Sequence, residues 1–115
     1  MAVNLDPSHC VYQGIDAVAA VRQLAGRIGF AHGKDTILVP ERVAVDGLLD
    51  RTAWRFATVG HGHDAAWWST FVRALRGAGY DGVISVEHED AEVSPEHGIV
   101  EGARALAAAM GETAS

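Results

Sequence analysis

Cysteine is almost missing from this chain. Cys10 is the single one in 115 residues, which excludes an internal disulfide and any multi-cysteine metal site and points to a reducing, cytoplasmic setting. Long apolar runs are missing as well, and none approaches the ~18 residues that a membrane span requires. The opening MAVNLDPSHC carries neither a basic stretch nor an apolar segment of signal-peptide type, so no secretory signal is read there. Basic residues are scarce: nine Lys and Arg stand against 15 Asp and Glu, for a net charge of −6. Such a balance makes a poor ligand for phosphate backbones or anionic lipid, so neither nucleic acid nor membrane is expected as a partner. What is present is ordinary for a soluble enzyme of small metabolites. Hydrophobic residues make up 49% and charged residues 21%, enough for one domain with a real core.

Strand-like and helix-like stretches alternate. Ala2–Asp6 reads as a short strand ended by Asp6-Pro7, and Ile15–Ala25 as a helix with Asp16 at its start and Gly26 past its end. Arg27–His32 is a second strand. Gly33 to His63 shows no clean period and reads as a long loop, with a short strand or helical turn expected within Val39–Leu49. Asp64–Gly77 is a helix with an apolar face of Trp67, Trp68, Phe71, Val72 and Leu75. Val83–Glu87 is a β-branched third strand, of the kind covered on both faces. Ser94-Pro95 opens a last helix, with Ile99, Ala103, Leu106 and Met110 as its expected buried stripe and a frayed tail at Glu112–Ser115. The order implies an α/β fold of three consecutive β/α units around parallel strands.

Polar residues gather at the ends of those strands. In parallel α/β folds the carboxyl ends of the strands share one edge, and ligands bind along it. Asp6, His32 and Glu87, one per strand, are therefore expected to meet. Taken singly, an Asp-Pro is a turn former and a strand-end histidine a structural residue; together, two carboxylates and an imidazole make a shell for Mn²⁺, Mg²⁺, Co²⁺ or Zn²⁺. Such an ion polarises the carbonyl of a sugar or hydroxy-ketone, and a carboxylate close by takes the acidified proton. His61 and His63 read as parts of a solvated glycine-rich loop, with metal binding as the alternative. Glu89 and Asp90 read as solvated loop carboxylates, and Trp67-Trp68 as core plus interface. Nothing argues for Cys10 as a nucleophile.

NLDPSH after the first strand, AHGKDT after the second, a loop closing in GHGHDAAWW, and GYDGVISVEHED resemble the C-terminal portion of the xylose isomerase-like sugar phosphate isomerase/epimerase family of TIM barrels, over about residues 2–110. The resemblance implies a partial (β/α)8 barrel, strands six to eight, in a single domain 1–115. In that family, strands five to eight supply Glu, Asp, His and Glu to a divalent ion. Asp6, His32 and Glu87 match the last three, and Glu87 would also move the substrate proton. His9 matches a substrate-contacting position, Lys34 falls in the family's His-x-Lys-Asp pattern, and Arg55 falls in the loop where relatives place a substrate-binding arginine. The expected substrate is a small carbohydrate. A whole barrel takes ~250 residues, so the expectation is a truncated form with little activity alone. The alternatives are a barrel completed by a homo-oligomer or a separate N-terminal half, an independent small α/β domain, a non-catalytic assembly partner, or an AP-endonuclease-like metal phosphodiesterase.

Overall fold

A computed structural model of the chain describes residues 2–111; the tail expected to fray, Glu112–Ser115, lies outside them. Three short strands, β1 (Val3–Leu5), β2 (Ile28–Gly33) and β5 (Ile84–Val86), form a parallel sheet in the order β1-β2-β5. The register sets Leu5 beside Ala31 and His32 beside Ser85. Helices α2 (Ala17–Gln23), α4 (Ala65–Gly77) and α5 (Pro95–Ala109) lie on one face of this sheet. They bury Leu5, Ala31 and Ile84 beneath Val21, Trp68, Phe71, Leu75 and Leu106. Among the described residues, no helix covers the opposite face, which carries Asn4, Phe30 and His32. The sheet is thus an open sector of parallel β/α architecture, not a closed barrel.

Local signals account for the helix boundaries. Asp16 accepts from the amides of Val18 and Ala19, Asp64 from Trp67, and Ser94 from His97, each as an N-cap. Pro95 stands in the first turn of α5, where its missing N–H costs nothing. Asp6 does more than end a strand. It caps a five-residue helix, α1 (Pro7–Val11), by accepting from the backbone and hydroxyl of Ser8 at 3.0 and 2.6 Å.

The long loop is the main correction. It holds β3 (Asp35–Leu38), α3 (Pro40–Asp46) and β4 (Trp54–Ala57), with β3 and β4 paired antiparallel from Asp35–Ala57 to Leu38–Trp54. The turn expected near Val39–Leu49 is α3. The strands escaped notice because each is only four residues long and the buried end of β3 is polar, Asp35 and Thr36, so no apolar alternation marks it. The first half of the α5 stripe is also displaced by one residue, whereas Leu106 is buried and Met110 packs against the core as expected. Gly98, Gly102 and Leu106 face the sheet, while Ile99 and Ala103 point outward. Glycine lets the helix approach closely, since a Cβ at Gly98 would overlap the His88 ring. Nor is the third strand covered on both faces: Val83, just before β5, is 72% exposed.

Gly33 sits where β2 passes under α5, and a Cβ there would overlap Leu106 Cδ1. Leu106 is itself locked in the core. Gly33→Ala is therefore expected to cost about 1.5 kcal/mol in urea unfolding, the scale of an overpacked core methyl. An unchanged midpoint would show that Leu106 has room to move.

Candidate functional site

Alternation along an extended segment builds the site. From His32 to Asp35, His32 and Lys34 point to the uncovered face of the sheet, while Gly33 and Asp35 point to the helices. Lys34 is fully buried at the carboxyl edge, although it carries a charge. Its Nζ lies 2.9 Å from Glu89 Oε1, 3.4 Å from Glu87 Oε2 and 3.6 Å from Asp6 Oδ2, and 4.0 Å from the centroid of the Phe56 ring. Burial alone would lower the lysine pKa, but the hydrogen bond to Glu89 and the carboxylates of Asp6, Glu89 and Glu87 outweigh it and hold the pKa above the usual lysine value. Glu89, in return, is held below the usual carboxylate range by Lys34. It is a partner of the buried lysine and more than a solvated loop acid.

Asp6, His9, His32, Lys34, Glu87, Glu89 and Asn4 line one open basin of about 300 Å³. The cap on α1 occupies Asp6 Oδ1 and leaves Oδ2 facing Lys34 and, at 3.7 Å, His9 Nε2. His32 Nδ1 comes to 2.7 Å from Glu87 Oε1. That approach is off the line of the ring N–H, so this buried nitrogen has no aligned hydrogen-bond partner. The residues expected from three separate strands thus share one rim. As they stand, no three His, Cys, Asp or Glu side chains among the described residues are clustered tightly enough to grip one ion. The Lys34 ammonium lies among the acids instead.

Arg55 lies apart from this basin. Its guanidinium pairs at 3.3 Å with Asp90, which also accepts from the Thr58 amide and hydroxyl and from the Glu92 amide. Asp90 is 4% exposed, so the solvated carboxylate expected there is in fact a buried tie between β4 and the loop after β5. Burial pushes its pKa up, but the Thr58 and Glu92 hydrogen bonds pull it further down. The histidines of the glycine-rich loop are likewise engaged. His61 pairs with Glu101, and His63 donates from Nδ1 to Asp35 at 2.6 Å while stacking on Trp67. Cys10 is half-buried, and burial, with Asp6 nearby, raises its pKa away from thiolate.

Sequence reasoning missed Asp35, which organises the ground beneath the site. It is buried. It accepts from the amides of Thr36, Gly60, Gly62 and His63, from Trp68 Nε1 and from His63 Nδ1. Burial disfavours its charge, yet these bonds, led by those from His63, bring its pKa below the usual carboxylate value. The closeness is such that a Cβ on Gly62 would overlap the Thr36 carbonyl. The sequence clues were its place opposite Lys34 in the alternation and its position as the last member of the His-x-Lys-Asp pattern.

Comparison with known proteins agrees with this architecture. Residues 1–109 match the family profile described as xylose isomerase-like TIM barrel. The chain is also similar to the uncharacterized protein YfiH of Bacillus subtilis (strain 168), with 39% identity over 114 residues, covering 92% of this chain and 36% of that protein. The chain therefore spans about a third of the length of this relative. No helix among the described residues is long and apolar enough to cross a membrane.

Proposed function

Since the chain belongs to the xylose isomerase-like TIM barrel family, we propose that its basin serves a carbohydrate isomerase or epimerase, moving a proton next to a carbonyl with the help of a divalent ion. One observation carries this reading: His32 Nδ1 is buried, without an aligned partner, against the carboxylate of Glu87 on a rim that already gathers a cation. A buried imidazole nitrogen without an aligned partner is costly unless a ligand meets it.

The donor set fits a hard or borderline divalent ion, with oxygens from Asp6 and Glu87 and a nitrogen from His32. Bound there, the ion would polarise a substrate carbonyl and acidify the neighbouring C–H. Glu87, with its side chain 36% exposed at the open mouth, is the carboxylate placed to take and return that proton. His9 reaches into the basin from α1, with its Nδ1 held 3.1 Å from the Tyr12 hydroxyl. It is suited to hydrogen-bond a substrate hydroxyl. Lys34 holds the acids gathered when no ion is held.

Calorimetric titration of the chain with Mn²⁺ tests the reading. One site is expected, and His32→Ala is expected to weaken it about tenfold as water replaces the imidazole. Equal affinities for the two proteins would remove His32 from the site and, with it, the metal-assisted mechanism.

A further inference from the structure

The basin continues past His9. On the other side of that imidazole lies a second open cavity of about 340 Å³, whose lining includes His9, Tyr12, Leu49, Arg51, Trp54 and Phe56. His9 belongs to both cavities. Phe56 joins them too, since the Lys34 ammonium of the basin lies against its ring. The lining of the second cavity is aromatic and ordered. Tyr12 and Trp54 stack at 4.2 Å and 14°, Trp54 meets Phe56 edge-on at 5.2 Å, and Phe56 meets His9 at 5.5 Å. Arg51 stands over Trp54, with its Cζ 5.9 Å from the ring centroid. At the rim, Leu49 is almost wholly exposed. Three of these aromatic rings come from elements distant in sequence: Tyr12 follows α1, and Trp54 and Phe56 belong to β4. The ribbon β3–β4 and helix α1 have been brought together to build this surface.

We infer that this shelf is a subsite for a second sugar ring, so that the substrate is a carbohydrate of at least two rings, with its reacting ring in the basin. The inference rests on the basin reading above for where the reacting ring lies. Sugars carry C–H-rich faces that lie well on aromatic rings, and their hydroxyls need a few well-placed donors at the edge. The shelf offers both: Tyr12 takes one face of Trp54 and the exposed Arg51 stands over the other, where an incoming ring would slip beneath the guanidinium, and the Tyr12 hydroxyl and His9, bonded to each other, stand at the edge. A single ring seated in the basin would leave the shelf in water. A second ring attached through a glycosidic oxygen would pass over His9 and cover Trp54. A phosphate in place of the second ring would meet one arginine and an otherwise apolar floor, a poor exchange for its hydration.

Saturation-transfer NMR on the 115-residue chain with Mn²⁺, using maltose and cellobiose against glucose as probes, decides the matter. At least one disaccharide is expected to bind about tenfold more tightly than glucose, with transfer strongest on the protons of the ring away from the basin. Trp54→Ala should bring that disaccharide down to the glucose level, Trp54→Phe should keep most of the advantage, and the affinity for Mn²⁺ should stay unchanged in both. Should Trp54→Ala fail to fold, the exposed Arg51→Ala and Leu49→Ser supply the test, each lowering the disaccharide affinity about threefold. Equal binding of all three sugars, or indifference to these substitutions, overturns the subsite even where Mn²⁺ still binds. A disaccharide preference that depends on Trp54 in a chain indifferent to Mn²⁺ keeps the subsite and overturns the basin reading instead.

Discussion

Asp35→Asn is expected to cost about 3–5 kcal/mol of folding stability, the scale set by breaking a buried, fully engaged charged group. The carboxylate accepts from six donors, and Oδ2 alone takes the amides of Gly60, Gly62 and His63 and the indole of Trp68. An amide nitrogen in that place would turn two hydrogens toward four. Whichever way the asparagine is turned, several buried donors lose their acceptor. Urea unfolding followed by tryptophan fluorescence measures the loss, and amide exchange at Gly60, Gly62 and His63 localises it. A cost below about 1 kcal/mol would mean that the loop holds itself without Asp35.

The same residue gives stability an acid limb of known sign. Its folded pKa lies below its ordinary value, so the unfolded chain, near 3.9, binds the proton more tightly. The contribution is complete above about pH 5 and drains away as pH falls through the unfolded and then the folded value. Asp90 and Glu89 are shifted the same way, so the variant keeps part of this limb. The stability gap between the wild type and Asp35→Asn should narrow between about pH 6 and pH 3. A constant gap would show that Asp35 acts through shape alone.

Lys34→Met is expected to tighten Mn²⁺ binding about 30-fold, or about 2 kcal/mol. The ammonium lies within 3.6 Å of Asp6, Glu87 and Glu89, so an incoming ion must displace or tolerate it. At such separations two cations repel by several kcal/mol at the effective dielectric of a protein surface. Solvent reaches Glu87 and Glu89 and removes a good part of that. Methionine keeps the stem packed on Phe56 while deleting the charge. The check is the calorimetric titration used for His32→Ala, with circular dichroism to confirm the fold. Weaker binding in Lys34→Met would show that the ammonium arranges the acids for the ion and does not compete with it.

Much of this could be read before any coordinates, for reasons that are local. Asp16, Asp64 and Ser94 announce their helices because a cap bonds to amides two or three residues ahead. The strand-end acids Asp6 and Glu87 and the imidazole of His32 announce a shared rim because parallel strands align their carboxyl ends. Other features stayed hidden. Arg55 and Asp90 looked like a substrate contact and a loop acid, and each turned out to be the other's partner across 35 positions. Asp35 takes most of its hydrogen bonds from residues 25 to 33 positions away.

Residue types and spacing alone settled the alternation of strands and helices, most helix ends, the exclusion of a disulfide within these 115 residues, and the edge of the sheet at which Asp6, His32 and Glu87 meet. Those properties depend on neighbours within about one helical turn or on the two-residue period of a strand. Three-dimensional packing chose among chemically similar groups. It buried Asp35 and Asp90, left Glu87 at the mouth, set Lys34 among the acids and folded the unpatterned loop into a ribbon beside His9. A carboxylate's role depends on which donors and charges reach it and how much water is left, and remote segments fix both only when they meet.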